Sequence, residues 1–583
     1  MILSKEQEKF IELALSGKNV LVDACIGSGK TTSIQHLCTK ITNKKILYLT
    51  YNRLLKVDAK DKIKLKNVSV HNYDGFAYWR LSATGNKIPS TSDLVTTFNR
   101  LLPEILAYDI LIIDEYQDIK EEHSVMLNYI KDQNPNMQII AVGDMKQKIY
   151  DTTTLDVEQF IDEFLVDYEL MEFTQCFRLS KDLASKLGRI WKKTINGIND
   201  DCKIIEMDYS DITEYLASKD TKDILCLGAR IGNMAKVLNK LENNYPEKFN
   251  KKTVYASIRD NDVVPTSDCA IFTTFDASKG LERKVCVIFD YSEEYWETRI
   301  TKPQTKYDIL RNIFCVAASR GKNEIVFVRH YKDTPLSERT LSTNKNIRSK
   351  FGDMNISEMF DYKFKEDIEE CYNLLKIELV KPKGEEINIE THDDLIDLSP
   401  CIGIYQEAMF FSNYDIDKQI ELLQSIHGDR SIYINNEWLI EKKILAITAF
   451  ETNQKRYIKQ VDPNFISEEQ RLLLFKRLFN EFSTTETVQQ ACHIEFSDLH
   501  SGDMFKARGR CDVIKNNCVY ELKFTNALSH EHYLQCASYI IGLGLETGYL
   551  WNVRTDEMYK ITIPNKYKFL KSVKKTITKR YYE

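Results

Sequence analysis

A glycine-rich stretch near the N-terminus has the residue types and spacing of a phosphate-binding loop. Residues 24–31, ACIGSGKT, follow the apolar run NVLVDA and precede a helix-compatible segment. They fit the P-loop pattern except that alanine stands at the first glycine position. Backbone N–H groups and the following helix N-terminus would bind phosphate oxygens, and Mg²⁺ would be held by Thr31. The residues predicted to bind ATP here are Gly27, Ser28, Gly29, Lys30, Thr31 and Thr32.

Two adjacent carboxylates follow another apolar run. Asp114 and Glu115 come directly after Leu111-Ile112-Ile113. The C-terminal ends of buried parallel strands are where α/β sheets bind ligands. We expect Asp114 to hold the magnesium ion of the nucleotide and Glu115 to orient and deprotonate the attacking water.

A second set of catalytic residue types lies near the C-terminus. If Asn516 and Asn517 form the turn of a tight hairpin, Asp512 lies opposite Glu521 on the neighbouring strand. Like charges in this position are destabilising unless they bind a cation. The alternation of side chains along a strand places Lys523 on the same face as Glu521. These residues predict a site for Mg²⁺, with Mn²⁺ as an alternative, that acts on a phosphodiester.

The apolar pattern predicts the elements that position these residues. Eight short apolar runs alternate with helix-compatible segments up to about residue 328, which is typical of a doubly wound α/β architecture in two tandem domains. A polar stretch follows, and then an α+β order of helices, hairpin and helix. The predicted domains are 1–152, 153–335, a linker or adaptor at 336–397, and 398–583.

Composition sets limits on the class of protein. The 583 residues are 43% hydrophobic and 28% charged, which indicates several packed domains and excludes collagen-like or mucin-like chains. The net charge of -6 means that nucleic acid would need a local basic groove. No signal peptide or run of 18 apolar residues is present, so we expect a soluble intracellular protein with reduced cysteines and no membrane partner. Cytoplasmic and nuclear locations are not distinguished.

The ordered motifs of the first 330 residues resemble superfamily 1 helicases of the UvrD/Rep type. The strings that carry the resemblance are LSKEQ, LTYNRLL, VHNYDGFAYW, VGDMKQKIY, FTQCFRLS, TTFDASKGLE and CVAASRG. The resemblance implies two RecA-like domains that close on one ATP and drive movement along DNA from 3′ to 5′. It also implies single-stranded and tailed double-stranded DNA as substrates, with replication or recombination proteins as partners.

The resemblance assigns roles to individual positions. At the nucleotide, it implies that the adenine contacts Gln7 and Phe177, and that the γ-phosphate contacts Arg178 and Arg320, the second as arginine finger. The resemblance also implies that Gln147 links the nucleotide state to DNA and that Glu282 belongs to the ATP-binding residues. The residues implied to contact a single strand are Thr50, Tyr51 and Asn52. Two departures are Asp276, where the family has histidine, and the Asp-Thr-Thr-Thr run that follows Tyr150 in place of a tryptophan-arginine pair.

The C-terminal motifs resemble the RecB branch of the PD-(D/E)XK nucleases. Asp512, Glu521 and Lys523 stand at the motif positions, which implies a catalytic role for Lys523. Gln535 and Tyr539 resemble the QxxxY helix of this branch, and their i,i+4 spacing places them on one helical face toward DNA. This fusion implies an α+β domain of the restriction-endonuclease type.

Two features of this branch concern additional ligands. The branch has an upstream histidine or glutamate as a further metal ligand, and both Glu407 and His493 are candidates. Some relatives contain an iron-sulfur cluster, but no cysteine follows Cys536, so we expect none here.

Three functions are compatible with these patterns. The first is an ATP-dependent DNA helicase or translocase that feeds a metal-dependent nuclease and processes DNA ends in recombination, repair or replication. The second keeps the motor but makes the C-terminal domain an inactive single-strand clamp, so that the protein remodels protein-DNA complexes. The third is an RNA helicase, because no identified residue senses a 2′-hydroxyl.

Overall fold

The structure, a computed structural model, describes most of the chain. The described residues are 3–51, 63–83, 94–256, 266–300, 306–343, 351–389, 395–427, 437–498 and 501–582. They form three sheet-based units.

The first unit is built on six parallel strands in the order β3-β2-β4-β5-β1-β6. Its strands are β1 (Asn19–Ala24), β2 (Ile46–Thr50), β3 (Val68–Asn72), β4 (Ile110–Asp114), β5 (Gln138–Gly143) and β6 (Tyr168–Phe173). Its helices are α1 (Lys5–Leu15), α2 (Lys30–Lys40), α3 (Tyr73–Ala83), α4 (Leu94–Leu101), α5 (Glu121–Gln133) and α6 (Val157–Leu165). The strands β2, β4 and β5 are buried at every residue, because helices cover both faces of the sheet.

The second unit has another six parallel strands, in the order β11-β12-β10-β13-β14-β9, and a short pair, β7 with β8, precedes it. The strands are β7 (Gln175–Cys176), β8 (Asn196–Gly197), β9 (Lys203–Asp208), β10 (Ile224–Gly228), β11 (Val254–Ala256), β12 (Ala270–Thr274), β13 (Arg283–Ile288) and β14 (Gly321–Arg329). The helices are α7 (Lys181–Trp191), α8 (Ile212–Ala217), α9 (Asn233–Asn244), α10 (Glu293–Ile300), α11 (Tyr307–Ala317) and α12 (Glu338–Ser342). The predicted α/β class with two parallel sheets is confirmed.

The third unit contains a mixed sheet in the order β15-β18-β19-β20-β21-β16, with β17 paired to β18. Its strands are β15 (Met354–Asn355), β16 (Lys376–Lys381), β17 (Thr487–Ser497), β18 (Met504–Lys515), β19 (Cys518–Lys523), β20 (Thr547–Asn552) and β21 (Glu557–Thr562). Its helices are α13 (Lys365–Tyr372), α14 (Ser399–Phe410), α15 (Ile416–His427), α16 (Ile440–Thr452), α17 (Arg456–Gln460), α18 (Glu468–Glu481), α19 (His530–Gly542) and α20 (Lys566–Ile577). One core contains α13, α19 and α20, and a second contains α14, α16 and α18.

Two predicted domain boundaries are wrong. The first unit does not end at residue 152, because β6 pairs with β1 along its whole length and completes the first sheet. The predicted linker at 336–397 is largely folded into the third unit, where β15 pairs with β18 and β16 pairs with β21. All three strands lie at or near sheet edges, where half-exposed, charged sequence lacks the apolar run of a central strand.

None of the helices in the described part of the chain is long and apolar enough to cross a membrane.

Candidate nucleotide and metal sites

The P-loop connects β1 to α2, and two of its glycines are required by the backbone. Gly27 and Gly29 have φ values of +69° and +77°, in the region that disfavours other residues. A Cβ atom at Gly27 would lie 2.7 Å from the Cβ of Arg178, and one at Gly29 would lie 2.8 Å from Nε2 of Gln7. The loop can therefore approach phosphate closely only with glycine at both positions.

A cavity of about 420 Å³ lies between the first two sheets, above the P-loop. The first unit contributes Gly27, Ser28, Gly29, Lys30, Thr31, Thr32, Glu115 and Gln147 to its lining. Charged residues from beyond the first sheet are Arg178, Lys279, Glu282, Arg283 and Arg320. The structure thus brings the predicted phosphate-binding residues and both predicted arginines to one cavity.

Glu115 and Asp114 have opposite electrostatic environments. Oε1 of Glu115 lies 3.1 Å from Nζ of Lys30, and Oε2 lies 3.6 Å from Nζ of Lys279. Burial opposes ionisation of Glu115, but these two ammonium groups outweigh it and lower its pKa. Burial and the charge of Glu115 raise the pKa of Asp114. One Asp114 oxygen accepts a hydrogen bond from Tyr48 at 2.7 Å, and the other is buried without a partner.

Arg320 is 5% exposed and has an unused hydrogen-bonding edge. Its Nε donates to the carbonyl of Val316 at 2.8 Å, while Nη2 is buried without a partner. Burial and the neighbouring Arg178 lower the pKa of Arg320 to about 9. A buried guanidinium with a free edge fits an anionic ligand, because an unpaired buried charge is costly.

Arg178 is paired with Glu282, which also lies 2.6 Å from Nζ of Lys322. Burial opposes ionisation of Glu282, but Arg178 and Lys322 lower its pKa to about 2. The carboxylate therefore stays ionised and holds two cations at the edge of the cavity.

Lys279 links the two units, a role that sequence reasoning did not assign. Its Nζ donates to the carbonyl of Gln147 at 3.1 Å and to the carboxylate of Asp118. The side chain of Gln147 donates to Asp144 at 2.8 Å. The sequence features that could have predicted this contact are the lysine of the TTFDASKGLE string and the aspartate that ends residues 114–118, DEYQD.

Gln7 and Phe177, predicted to contact adenine, flank the P-loop without lining the cavity. Nε2 of Gln7 donates to the carbonyl of Ser28 at 3.1 Å, and Oε1 accepts from the backbone N–H of Ser4 at 2.9 Å. Phe177 is 39% exposed and its N–H donates to the carbonyl of Gly27 at 2.9 Å. The adenine contact stays a prediction, since the amide of Gln7 already has two protein partners.

The residues predicted to contact a single strand have different surroundings. Thr50 is fully buried, so its side chain is not available to DNA in this arrangement. Tyr51 stacks on Tyr150 with ring centroids 5.5 Å apart. Asn52 lies outside the described residues.

Both departures from the helicase pattern have structural partners. Asp276 forms a two-point ion pair with Arg299, at 2.8 and 3.0 Å. The segment after Tyr150, residues 151–154, contacts the third unit: Asp151 pairs with Lys579 at 3.0 Å, and Thr153 donates to a carboxylate oxygen of Glu366 at 2.6 Å.

The predicted hairpin is present with the predicted register. Val513 pairs with Tyr520 and Ile514 with Val519, and Asp512 and Glu521 are the residues that directly follow the last pair of this ladder. Both turn residues, Asn516 and Asn517, have positive φ values, of +49° and +57°. This is the backbone of a two-residue type I′ turn, which fixes the register.

The surroundings of the two hairpin carboxylates disfavour their ionised forms. Asp512 accepts a hydrogen bond from the N–H of Leu522 at 2.7 Å, and Glu521 accepts one from Nζ of Lys523 at 2.9 Å. The second carboxylate oxygen of Glu521 is buried without a partner. Burial raises the pKa of both groups, and for Asp512 the charges of Glu521 and Glu407 add to the effect.

The structure distinguishes the two candidates for a further ligand. Glu407 is buried beside the pair, where burial and the charge of Glu521 raise its pKa to about 8, and it accepts a hydrogen bond from Gln489 at 2.6 Å. His493 is more than half exposed on β17 and lies 3.6 Å from Glu495. Glu407, and not His493, therefore influences the charges of the hairpin pair.

Within the described ranges, no three His, Cys, Asp or Glu side chains are close enough together to hold a metal ion. Mg²⁺ is commonly held by one or two carboxylates together with waters and substrate phosphates. Asp512 and Glu521, with the unpartnered oxygen of Glu521, fit that kind of site.

The helix α19 borders this site. Nε2 of Gln535 donates to the hydroxyl of Tyr539 at 3.2 Å, as expected for one helical face. Burial and the charge of Glu521 raise the pKa of Tyr539. His532 was not predicted: burial and the charge of Lys523 lower its pKa to about 3, and its ring accepts from the N–H of Ser529 at 3.0 Å.

A known protein family matches most of the first unit. Residues 7–153 match the family model of an AAA domain. The chain is 26% identical over 170 residues to an ATP-dependent helicase/nuclease protein of Staphylococcus aureus (strain bovine RF122 / ET3-1), covering 27% of this chain and 13% of that protein. It is 25% identical over 231 residues to the Clostridium botulinum (strain Alaska E43 / Type E3) protein of the same name, covering 34% of this chain and 18% of that protein. The matches span less than a fifth of either relative, and they support the resemblance to UvrD/Rep-type helicases.

Solved structures give only a distant likeness. Saccharomyces cerevisiae Dbp5 bound to RNA and ADP BeF3 has a TM-score of 0.35 at 13% identity, over 57% of this chain and 84% of that chain. A Pif1 helicase structure concerned with DNA unwinding at forked dsDNA has a TM-score of 0.31 at 14% identity, over 59% of this chain and 95% of that chain. These scores carry no argument about function.

Proposed function

We propose that the chain is an ATP-dependent DNA helicase or translocase, moving 3′ to 5′, coupled to a divalent-metal-dependent nuclease that processes DNA ends. The observation that carries the motor is the cavity between the first two sheets, where Lys30 and Glu115 face Arg178 and Arg320. A site assembled from two units opens or closes when its ligand changes, and this is how hydrolysis can drive domain movement.

The residues of the cavity have distinct tasks with Mg²⁺-ATP as substrate. When Mg²⁺-ATP is bound, Lys30 would exchange Glu115 for the terminal phosphates, and Thr31 and Asp114 would hold the magnesium ion. Glu115, still accompanied by Lys279, would orient and deprotonate the attacking water. Arg320 supplies positive charge where negative charge develops on the γ-phosphate during transfer.

The nuclease part rests on the hairpin. A divalent cation held by Asp512 and Glu521 would activate water and neutralise the scissile phosphate. Lys523 lies next to Glu521 and can donate a proton or a hydrogen bond to the leaving oxygen. Tyr539 and Gln535 border the site from α19 and can orient the strand.

A second candidate is a motor with an inactive C-terminal clamp. It is favoured by the lack of a three-ligand metal cluster among the described residues. A clamp has no need of a cation between Asp512 and Glu521, so measured binding of Mn²⁺ to the wild-type protein, lost on Asp512→Asn, argues for the nuclease. A third candidate, an RNA motor, is tested by competition between matched DNA and RNA strands for stimulation of ATP hydrolysis.

The two active sites can be separated by mutation. Lys30→Ala is expected to abolish ATP turnover and leave metal-dependent cutting, because the two sites share no residues. Lys523→Ala is expected to do the reverse. The measurement is a gel assay on end-labelled tailed duplexes of both polarities, with Mg²⁺ or Mn²⁺, with and without ATP. Loss of both activities in both variants would refute the two-site proposal, and unwound but uncut strands from wild type would favour the clamp.

A further inference from the structure

A basic groove runs along β18 to the candidate metal site. Lys506, Arg508 and Arg510 alternate along this strand, so they project from one face of it. Arg508 and Arg510 are exposed, and Lys506 is half-buried. The groove that they line has a volume of about 980 Å³, and its lining also includes Asp512 and Tyr539. The basic residues therefore lead to the carboxylate pair.

The basic side chains can exchange their present carboxylate partners for a phosphate. Nζ of Lys506 lies 2.6 Å from Glu495, and Nη2 of Arg508 lies 2.7 Å from Asp353. The four side chains are between 39% and 65% exposed, and ion pairs this exposed to solvent are weak. Arg510 has no ion-pair partner among the described residues. A phosphate can therefore replace either carboxylate at little cost.

One carboxylate in the groove, that of Glu451, would repel a bound phosphate. Glu451 is exposed and forms part of the wall. Desolvation of its carboxylate by the neighbouring protein raises the pKa of Glu451 to about 7. Its repulsion of a phosphate is reduced accordingly.

We propose that Lys506, Arg508 and Arg510 form a binding track for the backbone of single-stranded DNA, along which the strand reaches the Asp512–Glu521 centre. Residues two apart on a strand are separated by roughly 6.8 Å, which is close to the phosphate spacing of an extended single strand. The three side chains can thus contact successive phosphates. The destination of the strand rests on the proposed nuclease function, whereas its binding does not.

The test measures how salt weakens binding of oligo(dT) to the full-length protein in EDTA, without nucleotide, so that nothing is cut. Each phosphate contact to a single strand contributes about 0.7 to the slope of log K against log salt. The triple variant Lys506→Gln, Arg508→Gln, Arg510→Gln is expected to lower the slope by about 2 for long oligonucleotides. For oligonucleotides too short to extend beyond the first two units, the triple variant and wild type are expected to have the same slope.

Two controls keep the result interpretable. A second triple variant, Lys203→Gln, Lys222→Gln, Lys236→Gln, removes the same charge from exposed lysines of the second unit and should leave the slope unchanged at every length. The single variant Arg510→Gln, at an exposed position, should lower the slope by about 0.7 and replaces the triple variant if that variant does not fold.

Equal slopes for wild type and the track variants at every length overturn the track, and so does an effect seen with oligo(rU) but not with oligo(dT). A parallel assay of metal-dependent cutting addresses the proposed function separately. A slope change without any cutting by wild type refutes the nuclease and keeps the track as a DNA-binding site. Cutting by wild type without a slope change in the track variants refutes the track and keeps the nuclease.

Discussion

At the scale of single residues, the nucleotide cavity depends on charges that have incomplete partners. Glu115 is held ionised by Lys30 and Lys279. Arg320 is buried with one guanidinium nitrogen unused, and Asp114 has one unused oxygen. Buried groups without partners cost free energy, so a ligand that supplies the missing partners binds strongly. Mg²⁺-ATP, the proposed ligand, would supply an anion for the arginine and a cation for the carboxylate.

Substitution of Arg320 tests this balance. Arg320→Ala is expected to lower the rate of ATP hydrolysis by about 10³ to 10⁵, because the charge at the γ-phosphate is lost. Arg320→Lys is expected to restore little, since an ammonium lacks the planar fork of a guanidinium. The measurement is DNA-stimulated ATP turnover beside nucleotide affinity. Arg329→Ala, an exposed arginine on β14, is the control, and a loss below tenfold in Arg320→Ala would argue against the role.

At the scale of elements, the β18–β19 hairpin determines the second site. Its two-residue turn fixes which residues face each other, and a slip of one residue would move Asp512 away from Glu521. The turn requires positive φ at both central positions, and asparagine tolerates this better than most residues. The proposed metal site therefore depends on the backbone of a turn that contains none of its proposed ligands.

Substitutions at Asn517 separate turn geometry from side-chain chemistry. Asn517→Gly is expected to be neutral or to stabilise the protein by up to about 1 kcal/mol, because glycine accepts positive φ freely. Asn517→Val is expected to destabilise it by roughly 1–2 kcal/mol and to weaken Mn²⁺ binding. Thermal unfolding and metal titration measure both effects. Equal behaviour of the two variants would show that the turn does not control the site.

At the scale of the whole molecule, the third unit contacts both motor units. Lys579 forms a buried ion pair with Asp151, four residues beyond Gln147 of the nucleotide cavity. Arg456 on α17 forms another buried pair, at 3.4 Å, with Glu242 on α9 of the second unit. Movement of either of the first two units would therefore act directly on the C-terminal unit.

The Asp151 contact can be tested for its contribution to stability. Lys579→Met leaves the buried carboxylate without its cation and is expected to destabilise the protein by roughly 3–5 kcal/mol. Combining it with Asp151→Asn should recover much of this loss, because the unpaired charge is then absent. Thermal and chemical unfolding of the two single variants and the double variant form the cycle. Strictly additive losses would contradict a direct interaction.

Lys363, near this interface, makes the stability of the folded protein depend on pH. It is 2% exposed, its ammonium has no hydrogen-bond partner in the described part of the chain, and burial together with Lys579 lowers its pKa to about 7. The unfolded chain binds this proton more strongly, so stability is lost as pH falls from about 10.5 toward 7. Lys363→Met should be more stable than wild type at pH 7, with the difference shrinking toward pH 10. A difference in thermal unfolding that does not vary with pH would contradict this.

The sequence by itself determined the local features of both sites. The P-loop, the acidic end of β4, the hairpin register and the Gln535–Tyr539 pairing depend on residues close together in the chain, where backbone geometry leaves few alternatives. The central strands could also be predicted from the sequence, because strands covered on both faces are apolar throughout.

Tertiary structure alone decided the rest. The choice of Glu407 over His493, the role of Lys279, and the contact of Asp151 with Lys579 depend on residues far apart in the chain. The same holds for β6, β15 and β16, whose half-exposed sequences become strands through pairing with a particular neighbour. Such features have no local signal, because their stability comes from burial and pairing that exist only after the chain has folded.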